Sequence, residues 1–192
     1  YPYDVSKACG DFISHCYSSE IYKLPIITTR FSNIYGPGQL NFSALIPDCI
    51  LALMNLKTFK LRSNGKNKRD YLFVDDVCEL YLCLGYNLYK NNKLSGEIFN
   101  AGTGTGYTVD TIIKNICSIE NNKSLYKKIK SQYNKKKSIG EIENQFMSYN
   151  KLNKYFGWSP KYQLNNGLYM TIMWYKEIFN KYGKNKMLRN LI

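Results

Sequence analysis

The 192-residue chain is 44% hydrophobic, 21% charged and 15% aromatic, which excludes intrinsic disorder and fibrous repeats and supplies one core or two small ones. Its net charge of +13 is unevenly spread: residues 1–56 carry three basic and four acidic side chains, whereas residues 57–192 carry 24 and 10. The excess is mostly Lys interleaved with Asn, without arginine fans or aromatics at fixed offsets, so it reads as solvated surface and no nucleic-acid partner is expected.

Residues 4–21 place Val5, Ala8, Phe12 and Cys16 at helical spacing, with Asp4 available to cap the start. Pro25 to Arg30 is a β-branched run expected as a strand buried on both faces, followed by a loop at Gly36-Pro37-Gly38. Residues 43–55 predict a helix interrupted early by Pro47, and Asn64-Gly65 marks a turn. Arg69 to Val74 predicts a strand leading into a helix from Asp75 to about Tyr89. Glu97 to Ala101 predicts another strand, and Thr108 caps a helix to about Ile119. The Lys-rich stretch 121–138 has little periodicity and is expected as loop with a short strand near Ile129. Two helices close the chain, at about 149–156 and 164–182, with Trp158, Tyr162, Trp174 and Tyr175 as core. Strands alternating with helices predict an α/β fold with a parallel sheet, although too few strands are present for a complete doubly wound sheet.

No apolar run approaches the roughly 20 residues a bilayer requires, so no membrane span is expected. Six cysteines lie without metal-ligand spacing; free thiols in a reducing, cytoplasmic compartment and no metal site are expected. His15, the sole histidine, has no partner signature and reads as structural. Gly102-Thr-Gly-Thr-Gly106 imitates a dinucleotide fingerprint, but Tyr107 occupies the place of its third glycine, so the run reads as a turn before Thr108.

Tyr3 and Lys7 stand one helical turn apart, an arrangement in which an ammonium stabilises the phenolate of a tyrosine base. The spacing alone is uninformative: the sequence holds six Tyr-Lys pairs four residues apart, where chance predicts about two. Context separates the first pair. Tyr1-Pro-Tyr-Asp-Val-Ser-Lys-Ala-Cys9, Thr29-Arg-Phe-Ser-Asn-Ile-Tyr-Gly-Pro37 and Leu40-Asn-Phe-Ser-Ala-Leu-Ile-Pro47 follow one another in order. After them come Arg62-Ser-Asn-Gly65, Arg69-Asp-Tyr-Leu-Phe-Val-Asp-Asp-Val77 and Gly157-Trp-Ser-Pro-Lys-Tyr162. These blocks resemble the extended short-chain dehydrogenase/reductase family, in its NAD-dependent epimerase/dehydratase branch. The Asn-Phe-Ser and Arg-Ser-Asn-Gly blocks are most similar to the CDP-glucose 4,6-dehydratases.

The resemblance implies a Rossmann-like doubly wound sheet, here its C-terminal part, with a smaller α/β substrate lobe. Residues 1–40 and about 66–92 would belong to the NAD-binding domain, and about 41–65 and 93–192 to the lobe. It implies Tyr3 as catalytic base, with Lys7 beside it on the nicotinamide ribose. Tyr3, Lys7 and Ser32 would line the NAD site. Asn33, Asn41, Ser43, Arg62 and Arg69 would hold a nucleotide-diphosphate sugar, with Glu143-Asn144-Gln145 as further nucleotide contacts. The family's GxxGxxG, its active-site Ser or Thr and the dehydratases' Asp-Glu pair have no counterpart in these residues. The chain therefore reads as the C-terminal half of a 4,6-dehydratase, inactive by itself and a homodimer when complete. A nucleotide-sugar 4-epimerase, a dTDP-glucose or GDP-mannose dehydratase, and a non-catalytic sugar-nucleotide-binding fragment are the alternatives.

Overall fold

Four short strands form two parallel pairs in the computed structural model, which describes residues 1–61, 63–133 and 142–182. Strand β1 (Thr28–Phe31) follows helix α1 (Pro2–Ser18), and β2 (Asn33–Tyr35) follows β1 after one residue. Helix α2 (Leu45–Leu53) leads to β3 (Lys68–Arg69), β4 (Tyr71–Phe73) and helix α3 (Val74–Lys90). Next come β5 (Ile98–Ala101), β6 (Tyr107–Thr108), α4 (Val109–Ile119) and α5 (Lys123–Ser131). Strand β7 (Asn144–Gln145) and helices α6 (Asn150–Phe156) and α7 (Leu164–Tyr182) complete the described fold. β1 pairs with β5 and β2 with β4, both in parallel, while β3 lies between antiparallel β6 and parallel β7. The predicted mixed α/β class with parallel pairing is therefore observed.

Two cores form. The larger joins α2, α4 and α7 with Tyr35, Tyr71 and Phe73. The smaller joins Leu72, Val77, Leu80 and Leu84 to Phe99, Ala101, Leu152 and Trp158. Neighbouring residues of β4 enter different cores because successive side chains on a strand point to opposite faces. Trp158 and Tyr175 are buried and Tyr162 and Trp174 pack against the larger core, as the sequence predicts.

Several expectations are corrected. The stretch expected as loop with a strand near Ile129 holds α5, because Asn122 caps it through Leu125 N–H and Ile129 turns inward. Pro47 does not interrupt α2: it is the third helical residue, where no earlier turn needs its missing N–H. β1 is not buried on both faces, since Arg30 is exposed. Asp4 lies in the first turn of α1, whose cap position is Tyr1. No residue of α1 is buried, and His15 is exposed. The strand expected at 69–74 divides at Asp70 into β3 and β4, which belong to different sheets. Ile98–Ala101, placed with the substrate lobe by sequence, extends the sheet of β1.

Gly167 lets α7 approach β2. A β-carbon there would lie 2.2 Å from the Tyr35 hydroxyl oxygen and 2.8 Å from Phe73. The Tyr35 hydroxyl donates to Leu164 C=O at 3.2 Å, so the ring cannot retreat without losing that bond. Gly167→Ala is expected to cost about 1–3 kcal/mol, the range for overpacking. Urea unfolding should show a lower midpoint at unchanged slope; an unchanged midpoint would refute the close approach.

Candidate functional site

The direction of α1 decides where Tyr3 and Lys7 sit. Its last residue, Ser18, lies beside Gly96, where a β-carbon would be 3.4 Å from the serine hydroxyl, just before β5. Midway along, Arg30 of β1 donates to both carboxylate oxygens of Asp11, at 3.1 Å from Nε. The helix thus runs antiparallel to β1 and β5, and its first turns project beyond their carboxyl ends. Lys7 is one turn above Asp11, about 6 Å, and Ser32 is two residues beyond Arg30, a similar rise. Tyr3 and Lys7 are both exposed, with Lys7 Nζ 5.5 Å from the Tyr3 ring centre.

The Asp11–Arg30 pair fastens this helix to the sheet. The guanidinium hydrogen bond holds the Asp11 carboxyl below the usual carboxylate range. Its stabilisation is present above the unfolded value near 3.9 and is lost as pH falls through the lower folded value. Asp11→Asn should lower the melting temperature at neutral pH, with the difference from wild type closing as pH falls through the lowered folded value. A difference independent of pH would exclude the ion pair as its cause.

Opposite Arg30, Phe31 packs on Tyr81 of α3 with ring centres 5.4 Å apart. Helices therefore flank β1 on both faces. The chain then changes partner at a single residue: Ser32 N–H donates to Ala101 C=O at 2.9 Å, and Asn33 N–H donates to Asp70 C=O at 3.0 Å. The Ser32 hydroxyl oxygen is buried and has no hydrogen-bond partner among the described residues. Asn33 adds a side-chain bond to the same Asp70 carbonyl at 3.0 Å.

Asp70 is the hub that sequence reasoning missed. It is 1% exposed, and its carboxylate accepts Thr103 N–H, the Thr103 hydroxyl at 2.7 Å and Met147 N–H at 3.2 Å. Gly102 is required beside it, because a β-carbon would lie 2.3 Å from Asp70 Oδ2. The Gly102 turn therefore serves this carboxylate. The only signal in sequence is its place in the Arg69-Asp-Tyr-Leu-Phe-Val-Asp-Asp-Val77 block.

The hub fixes Arg69 between neighbours. Arg69 aligns with Tyr107 on one side and Gln145 on the other, which brings the Glu143-Asn144-Gln145 segment to β3 as Lys68 N–H donates to Glu143 C=O at 2.7 Å. Arg69 is half-buried, and its Nη1 donates to Lys68 C=O at 2.8 Å. Asn41 and Ser43 lie on the exposed loop before α2, where Asn41 Oδ1 accepts Ser43 N–H at 3.1 Å. That loop is fastened to α7 by the Tyr175 hydroxyl, which donates to Gln39 C=O. Arg62 lies outside the described residues. The structure thus gathers Ser32, Asn33 and Arg69 around Asp70 and sets Tyr3 and Lys7 over the strand ends, with Asn41 and Ser43 on a separate loop. Among the described residues no cluster suited to a metal ion occurs, and no helix is long and apolar enough to cross a membrane.

Parallel strands flanked by helices, with polar groups gathered where the chain switches strands, define a Rossmann-type α/β protein, a fold in which ligands bind in the crevice at the carboxyl ends of the strands. The chain belongs to the GDP-mannose 4,6 dehydratase family, whose model matches residues 1–171. It is 31% identical over 183 residues to an Arabidopsis thaliana trifunctional UDP-glucose 4,6-dehydratase/3,5-epimerase/reductase, covering 92% of this chain and 24% of that protein. It is 30% identical to the human dTDP-D-glucose 4,6-dehydratase, over 94% of this chain and 50% of the other. The dTDP-glucose 4,6-dehydratase of Bacillus anthracis, solved with NAD, superposes with a TM-score of 0.75 at 30% identity, covering 92% of this chain and 52% of that one. The chain thus spans about half the length of such single-activity relatives and a quarter of the trifunctional one.

Proposed function

We propose that the chain supplies the base and the sugar-nucleotide lobe of an NAD-dependent nucleotide-sugar 4,6-dehydratase that converts CDP-glucose to CDP-4-keto-6-deoxyglucose. One observation carries it: the exposed Tyr3-Lys7 turn stands over the strand switch at Ser32, beside Asn33 and Arg69. In this reading residues 1–40 and about 66–92, with the strand Ile98–Ala101 beside β1, complete the NAD-binding domain, and about 41–65 and the rest of 93–192 form the lobe.

The residues fit the cofactor. The orphaned Ser32 hydroxyl offers a hydrogen bond where a nicotinamide would lie, and Lys7 is placed to hold its ribose. Bound there, NAD would supply the hydride-transfer chemistry that a transient oxidation at C4 of the sugar requires. Tyr3, as the phenolate that Lys7 stabilises, takes the proton of the C4 hydroxyl and becomes the neutral phenol. Arg69 meets the diphosphate with a planar fork that matches two oxygens at once. Asn33, held by Asp70 C=O, orients the sugar; Asn41 and Ser43 wall it, and Arg62 completes the nucleotide grip.

Exposed apolar positions on α1, Val5, Phe12 and Ile13, support a homodimer of the complete protein. The buried Cys49 and Cys117, both free, support a reducing cytoplasmic setting.

Calorimetric titration with CDP-glucose tests the reading: the chain should bind it, and Arg69→Ala should weaken binding at least about 10-fold, the range for a charge-assisted bidentate contact. Joined to an NAD-binding half, it should give the alkaline enone absorbance of a 4-keto-6-deoxy product. Binding indifferent to Arg69→Ala, or a C4 epimer as product, would overturn it.

A further inference from the structure

A second cleft, of about 490 Å³, opens on the seam between the two cores, within the usual volume range of small-molecule sites. None of the described residues assigned above to NAD or the nucleotide sugar lines it. Its walls come from both cores: Tyr149 packs edge-on against Trp158 of the smaller, whereas Tyr107, Tyr162 and Leu164 belong to the larger.

The lining is aromatic and polar without free charge. Tyr71, Tyr107 and Tyr149 present rings, and Gln163 presents an amide. Asn115 Nδ2 donates to Asn165 Oδ1 at 2.9 Å, which leaves the outer Asn165 NH₂ and the Asn115 carbonyl for a guest. The ammonium at the rim, Lys161, is engaged by Glu79, and the other lining residues carry no charge. Most telling is Tyr71. It is 8% exposed, burial pushes its phenol up to about 12, and its hydroxyl makes no hydrogen bond among the described residues although it lines the cleft. A neutral phenol left unpaired at a cavity wall is a donor free to meet an acceptor there.

We propose that this cleft binds a neutral sugar ring, whose C–H faces lie against the tyrosines and whose hydroxyls meet Tyr71, Gln163 and the Asn115–Asn165 pair. The site takes no part in the proposed dehydration and stands whether or not that reading holds.

Titration of the chain with methyl β-D-glucopyranoside, followed by NMR chemical shifts, tests it. Saturation with a dissociation constant on the order of 1 mM is expected for so small a ligand. Tyr71→Phe, which keeps the ring and should leave the unfolding midpoint nearly unchanged, should weaken binding about 3–10-fold, the worth of one hydrogen bond. Gln163→Ala should do the same, while Arg69→Ala should leave it intact. No saturation by about 20 mM, or saturation that neither cleft variant alters, would overturn the proposal. Binding abolished by Arg69→Ala alone would instead place the sugar in the nucleotide-sugar site.

Discussion

Asp70→Ala is expected to destabilise the fold by about 3 kcal/mol or more, a large share of a domain's net stability. The carboxylate accepts from two backbone N–H groups, Thr103 and Met147, and from the Thr103 hydroxyl, while the residue is 1% exposed. Removing it leaves both part-buried N–H groups without their acceptor, at about 1–3 kcal/mol each. Water cannot easily replace it, because Gly102 and Met147 crowd the same space. Asp70→Asn should cost less: one oxygen still accepts from Met147, and the Thr103 hydroxyl can reverse its role and accept from the new amide. Urea denaturation of the two variants checks this, with the Ala midpoint below the Asn midpoint and both below wild type. Equal midpoints for wild type and Asp70→Ala would show that Asp70 holds nothing together. The effect should extend to binding, since the same residue's carbonyl positions Asn33 and its neighbour Arg69 is fixed by the sheet it anchors.

The order in which structure was legible in the sequence follows from range. Helix α4 was readable because Thr108 caps it locally through Thr111 N–H and its apolar stripe has period 3.6. The motif blocks around Tyr3, Ser32 and Arg69 were readable because each is a contiguous run. The hub was not, because Asp70 finds its partners 33 and 77 residues away, and nothing in a local window distinguishes it from the acidic residues of a surface strand. Helix α5 was misread for a related reason: its Lys residues hide the Leu125–Ile129 turn, and the core it docks on is formed by α4. The division of one expected strand into β3 and β4 has the same root, since a buried carboxylate at the join serves tertiary partners and not the strand's own alternation.

In a polypeptide that completes the NAD site, Tyr3→Phe should lower kcat about 10²–10⁴-fold with little change in KM for the nucleotide sugar. The ring remains, so packing is retained; Tyr3 is exposed and its hydroxyl makes no hydrogen bond among the described residues that the fold would miss. Only the proton transfer is lost. Lys7→Met should also reduce kcat while leaving the unfolding midpoint nearly unchanged, because the exposed ammonium one turn away is lost to the reaction and not to the fold. A merely structural helix would respond differently: both variants would then lower stability together. Because α1 buries no residue and is held to the sheet through Asp11 and Arg30, the two roles separate cleanly. Asp11→Asn should loosen the helix and depress kcat modestly at every pH, whereas Tyr3→Phe should remove turnover while leaving the unfolding midpoint where it was. A Tyr3→Phe protein that retains wild-type kcat would remove the tyrosine from the reaction and, with it, the reason to place chemistry at this end of the sheet.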